Sequence, residues 1–146
     1  MMTRELLSKE HREIDALARE LLGIVARTQR PEQGLASLRW RLNHILMVHL
    51  VKEDQLLYPA LRKSNNPDIA AIAIKFSTEM GGIAKQFIEY MQVWNEASIK
   101  VDWPGFCNDT RSLLTALRER VRREERDLYP RLTESLEAAA RRDAAA

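Results

Sequence analysis

Three side chains in the first half of the sequence have types and spacings that could bind a metal ion. His49 and Glu53 are four residues apart, so on a helix they are neighbours and offer a nitrogen and an oxygen to one point. His11 stands on an earlier amphipathic segment and can approach that point from an adjacent helix. Two imidazoles and a carboxylate form a donor set for a divalent cation. The competing reading is a core histidine hydrogen-bonded to backbone or to a carboxylate, with Glu53 facing solvent beside Lys52. The position of Glu53 on an apolar stripe argues against exposure. A buried carboxylate needs a partner or becomes protonated, and a metal, His49 or a nearby arginine would each serve.

Apolar spacing supplies the helices that must carry these groups. Leu7, His11, Ile14, Leu17, Leu21 and Val25 recur every three or four residues, which predicts a first helix from about Thr3 to Arg27. A second stripe through Leu38, Leu42, Ile45, His49, Glu53 and Leu56 begins after Arg30-Pro31 and ends near Lys63. Asn66-Pro67 reads as an N-cap and first turn, opening a third helix through Ile69, Ile72, Phe76, Met80, Ile83, Phe87 and Trp94. Ser98 to Trp103 reads as a loop. Pro104 then restarts the chain into a fourth helix through Phe106, Leu113, Leu117, Val121, Glu124, Leu128 and Leu132. Each helix has one apolar stripe, and short connections make sequential antiparallel packing the simplest way to bury it. The expected fold is all-α, an up-down-up-down antiparallel four-helix bundle over residues 1–137, with a fraying tail at 138–146.

The two halves repeat. Glu10-His11-Arg12-Glu13-Ile14 aligns with Glu79-Met80-Gly81-Gly82-Ile83, and the segment from His49 to Leu57-Tyr58-Pro59 aligns with that from Arg120 to Leu128-Tyr129-Pro130. A repeat of this length signifies a duplicated helix hairpin. With its Glu-His-x-x-Ile start, His-x-x-x-Glu spacing and repeated Leu-Tyr-Pro, the sequence from about Leu6 to Leu132 resembles the hemerythrin-like (HHE) cation-binding family. That resemblance implies a bundle with His on one helix and His-x-x-x-Glu on the next, usually twice, and two irons bridged by carboxylates in the di-iron members. Here the second-half histidine positions hold Met80 and Arg120. What remains on the pattern is His11, His49, Glu53 and Glu124, enough for one ion and not for two. Arg120, as a bidentate cation near Glu53 and Glu124, could replace the charge of a metal; the alternative is a surface pair with Glu124, leaving Val121 as the buried neighbour.

The other candidates have plainer readings. His44 lies about 140° around the helix from His49 and reads as exposed and non-ligating. Met80 reads as core filler. Gly81-Gly82 in mid-helix implies a kink, a close contact or a small void. Tyr58 and Tyr129 close the bundle end or hydrogen-bond a site carboxylate, and Trp40, Trp94 and Trp103 read as core or end anchors, with a partner surface as the less favoured reading. A net charge of +2, with Arg and Glu interleaved from Arg118 to Arg126, favours a solvated face over a nucleic-acid surface. The apolar runs Leu21–Ala26 and Ala70–Ile74 are far below the ~18 residues of a membrane span. The opening residues lack a secretory pattern, which points to the cytoplasm. The single Cys107 excludes an intrachain disulfide and a Cys-rich metal site. With no nucleophile set or phosphate loop visible, the expected role is binding or sensing rather than catalysis, with at most one iron, zinc or manganese ion. The alternatives are a metal-free regulatory or protein-interaction bundle and, less favoured, di-iron oxygen or peroxide chemistry.

Overall fold

The Thr3 hydroxyl accepts from the Leu6 amide and so caps the first helix. In the computed structural model, which describes residues 2–132, helix α1 spans Arg4–Arg27 and buries the expected stripe. Helix α2 (Leu35–Lys52) starts later than Pro31 suggested. Gly34 turns the chain with a φ of 88°, a conformation open to glycine and rarely to other residues, and the helix begins from it.

Helix α2 runs on into a wider, π-helical turn at Glu53–Leu57 and then α3 (Tyr58–Arg62). In this turn the Tyr58 amide donates to the Glu53 carbonyl, five residues back. Pro59 has no amide proton, and in a regular helix its ring crowds the carbonyl four residues before it; one extra residue in the turn relieves the clash. The same widening recurs at Glu124–Leu128, ahead of Tyr129-Pro130. It also corrects the expected register, since Leu57 is buried while Leu56 is 59% exposed.

The expected third helix is divided into α4 (Pro67–Met80) and α5 (Ile83–Val93). Asn66 caps it as anticipated, accepting from the Asp68 and Ile69 amides. The break falls at Gly81-Gly82, where a Cβ on Gly81 would collide with the Ser77 carbonyl. The expected loop at Ser98–Trp103 instead contains most of a short helix, α6 (Glu96–Val101), because Asn95 and Ser98 cap each other reciprocally. Asp102 then accepts from the Gly105 amide and opens α7 (Trp103–Arg123).

Helix α1 packs against α2 and α7, α5 against α7 and α2, and α4 against α3 and the Glu124–Leu128 turn. Their apolar faces share one core, and regular structure among the described residues is entirely helical. Trp94 and Trp103 anchor it, donating to Asp109 and to the Thr28 carbonyl. Trp40 does not. It sits about 200° around the helix from both Leu38 and Leu42 and is 67% exposed. No described helix is long and apolar enough to cross a membrane. The domain limit at 137 and the expected fraying of 138–146 lie outside the described residues.

The two glycines respond differently to substitution. Gly81→Ala forces backbone to move and is expected to cost about 1–3 kcal/mol. Gly82→Ala meets only the Gln86 side chain at 3.7 Å and is expected to be neutral or mildly stabilising. Thermal denaturation of the two variants checks the contrast.

Candidate metal centre

Helix α1 supplies His11, α2 supplies His49, and the two wide turns supply Glu53 and Glu124. One donor atom from each lies within 4.8 Å of all the others. The four side chains are fully buried, with both glutamates at 0% exposure. Each imidazole is oriented from behind. His11 Nδ1 lies 2.8 Å from Glu125 Oε1, and His49 Nδ1 lies 2.9 Å from Glu10 Oε1. The pairing is crossed: Glu10 neighbours His11 in sequence yet holds His49. Ser8 donates to Glu125 and Lys52 donates to Glu10, fixing both carboxylates in turn. Such carboxylate–histidine contacts set the tautomer and aim Nε2 at the centre.

At that centre His49 Nε2 lies 3.1 Å from Glu53 Oε1, and His11 Nε2 lies 3.2 Å from Glu124 Oε1. His49 Nε2 and Glu124 Oε1 are nevertheless too poorly aligned to form any hydrogen bond, and both are buried. Two orphaned ligand atoms facing a shared point are what a cation would satisfy. Those two pairs match the roughly 3.3 Å between neighbouring ligand atoms on tetrahedral bonds of about 2.0 Å, while the four donor atoms together span up to 4.8 Å. The phenols complete the shell by crossing between halves. Tyr58 donates to Glu124 at 2.7 Å, while Tyr129 donates to Glu53 at 2.6 Å and lies 3.0 Å from His11 Nε2.

Arg120 points inward and is 1% exposed, which removes the surface-pair alternative. Its Nε donates to Glu124 at 3.3 Å and its Nη1 to the Met80 carbonyl at 3.1 Å, beside the glycine break. Its Nη2 donates to Glu53 at 3.3 Å and to Asp54 at 2.7 Å. Met80 itself is core, and His44 is exposed, both as expected. Glu125 keeps the solvent contact expected of it, with its side chain 37% exposed, and also holds His11. Glu10, Lys52 and Asp54 also join the site without having been expected there. Their signal was the run of paired polar residues beside each ligand, in Glu10-His11, Glu53-Asp54 and Glu124-Glu125.

These contacts fix the charges. Burial opposes protonation of His49, but the Glu53 and Glu10 carboxylates outweigh it and push the imidazole up to about 9. Burial likewise raises Glu53, yet His49 and Arg120 overcome it and hold the carboxyl down at about 2. Glu124 moves the other way, raised by burial and by the Glu53 charge against the pull of His11 and Arg120.

The hemerythrin HHE cation-binding domain matches residues 2–132 of this sequence. The chain belongs to that family. Comparison with curated proteins and with solved structures gives no match. Within this hemerythrin domain His11, His49, Glu53 and Glu124 are brought together, and Met80 and Arg120 occupy the positions that align with His11 and His49 in the internal repeat.

The titrations predict how the metal-stripped domain behaves. His49, raised above its unfolded value of 6.5, contributes stability that is complete below pH 6.5 and lost as pH climbs through about 9. Glu53, lowered from 4.5, contributes stability that is present above pH 4.5 and lost as pH falls towards 2. The raised Glu124 contributes stability that is complete below pH 4.5 and is lost as pH rises above it. The thermal midpoint of stripped protein is therefore expected to fall between pH 6.5 and 9; a midpoint that rises over this range contradicts the assignment.

Proposed function

We propose that this hemerythrin-like domain is a binding or sensing protein, not an enzyme, that takes up a single divalent cation on His11, His49, Glu53 and Glu124. We read its helices as two hairpins, α1 with α2–α3 and α4–α5 with α7, in an antiparallel four-helix bundle, in keeping with the repeated sequence pattern. The observation that carries the one-ion reading is Arg120, whose guanidinium bridges Glu53 and Glu124 from the second half. A fixed cation there supplies the charge that a second metal would otherwise bring, and it offers no lone pair for ligation. Bound iron, zinc or manganese would contribute positive charge between the two carboxylates. The chain's own residues do the rest. Glu10 and Glu125 hold the imidazole nitrogens inward, the two phenols hold the remaining carboxylate oxygens, and the helices exclude water.

A cytoplasmic setting accords with the single unpaired Cys107. A metal-free regulatory or protein-interaction bundle is the second reading. It draws support from the pairing of each buried glutamate with both a phenol and Arg120.

Metal titration of stripped protein separates these readings from each other and from a di-iron centre. One ion per chain is expected, with His49→Ala abolishing uptake and His44→Ala leaving it unchanged. Two irons with an oxo-bridge absorption band would establish the di-iron alternative, and a melting temperature indifferent to chelator would establish the metal-free one. Arg120→Met is expected to cost about 3–5 kcal/mol in metal-free protein, measured by denaturant unfolding, because it strands Glu53 and Glu124 as adjacent buried carboxylates. Joint Arg120→His and Met80→His substitution is expected to raise metal uptake from one ion towards two.

A further inference from the structure

Helix α2 is apolar on its outer face as well as its inner one. Half of the large apolar side chains that stay exposed among the described residues fall between Trp40 and Leu56, with Trp40 at 67%, Val48 and Val51 at 45% each and Leu56 at 59%. At about 100° per residue, Trp40, His44, Met47 and Val51 lie within about 60° of one another, on the side of the helix away from Leu38, Leu42 and Leu46. The outer faces of α1 and α7 carry interleaved Arg and Glu. Helix α2 has no acidic residue at all. Of its basic residues, Arg39 is buried and Lys52 donates to Glu10, which leaves Arg41 as the formal charge on the outer face. A helix that is apolar all round is normally covered all round, and a contiguous exposed apolar patch marks an interaction surface.

The spacing on this face selects the partner. Steps of four, three and four residues from Trp40 to Val51 are those of a seam along which two helices pack side by side. The seam is its own complement. Turned antiparallel about a two-fold axis midway between His44 and Met47, each Trp40 stands opposite Val51 of the other copy and each His44 opposite Met47, which sets a large side chain on a small one and a thioether on an imidazole. With Arg41 as its one formal charge, the face offers an acidic or basic partner no pattern of charges to match. A face about 27 Å long and 10–12 Å wide withdraws on the order of 1,000 Å² when two copies pair, the lower limit of a specific interface and the size of a reversible one.

We propose that α2 pairs with α2 of a second copy of this chain, antiparallel along Trp40, His44, Met47 and Val51, to form a reversible symmetric dimer. The seam lies on the opposite side of α2 from His49, so the dimer forms whether or not a metal is bound.

Sedimentation velocity of the full chain, from low micromolar to submillimolar concentration, tests it. The weight-average mass is expected to climb from monomer towards dimer, and the share of tryptophan fluorescence open to acrylamide is expected to fall in step as Trp40 is covered. Val51→Glu alters an exposed side chain, so the variant folds, and it is expected to weaken association at least about tenfold by placing a charge in the seam. Val93→Glu, at a valine 58% exposed outside the seam, is expected to leave association unchanged. Oxidised together, Trp40→Cys and Val51→Cys chains are expected to give a disulfide-linked dimer that neither gives alone, the native Cys107 being buried. A chain that stays monomeric throughout, or a dimer as stable in Val51→Glu as in the parent, overturns the surface. Cross-linking of each cysteine variant to itself, with none between them, overturns the antiparallel pairing.

Discussion

Glu53 and Glu124 sit with no solvent exposure in the centre of a helical core, and neutralising them is the constraint that organises the rest of the site. Two unit charges a few ångström apart interact by about 4 kcal/mol at 4 Å for an effective dielectric near 20. A neutral hydrogen bond contributes about 1 kcal/mol net. The tyrosine hydroxyls can therefore orient these carboxylates but cannot balance them. Arg120 can, because it contacts both at once and adds Asp54 and the Met80 carbonyl. In return, those acceptors compensate a guanidinium that would itself be prohibitive to bury alone.

Proline sets the geometry that lets the carboxylates meet. Each Tyr-Pro follows a widened turn that begins at a buried glutamate, and each tyrosine reaches the glutamate of the opposite half. The two halves of the chain are thus interlocked by two reciprocal bonds. The chemistry laid on it is unequal. Both imidazoles come from the first half and the guanidinium from the second, so the cluster has a face with ligand nitrogens and a face with a permanent cation.

Much of this was readable beforehand because it obeys a period. The stripe from Leu7 to Val25, the cap at Asn66 and the convergence of His11, His49, Glu53 and Glu124 all follow from 3.6-residue spacing or from the internal repeat. The wide turns were not, since a π-helical insertion leaves the sequence periodic to within one residue and shows itself only in Leu56 and Leu57 exchanging places. The contact of Glu125 with His11 was hidden for a related reason. Glu125 belongs to a charged run, and only the widened turn brings two consecutive glutamates to one histidine-bearing face. Arg120 was ambiguous because periodicity places both it and Val121 near the core. The break at Gly81-Gly82, with a carbonyl free to accept from a guanidinium, decides between them. The reciprocal caps of α6 were visible as Asn95 and Ser98, but Ser98 opened a segment read as loop.

A fixed cation beside an exchangeable one has a consequence that two metals would not. In a site neutralised only by metals, losing them leaves facing carboxylates with nothing between them, and the core must open or protonate. On the proposed reading Arg120 stays when the cation leaves, and His49, pushed up to about 9 by its carboxylate neighbours, takes a proton in its place near neutral pH. The stripped centre therefore holds a guanidinium and an imidazolium against Glu53 and Glu124. On the proposed reading, uptake of the cation releases the His49 proton while the helices keep their packing. The domain can then exchange its metal as a folded unit, which is what reversible binding or sensing requires.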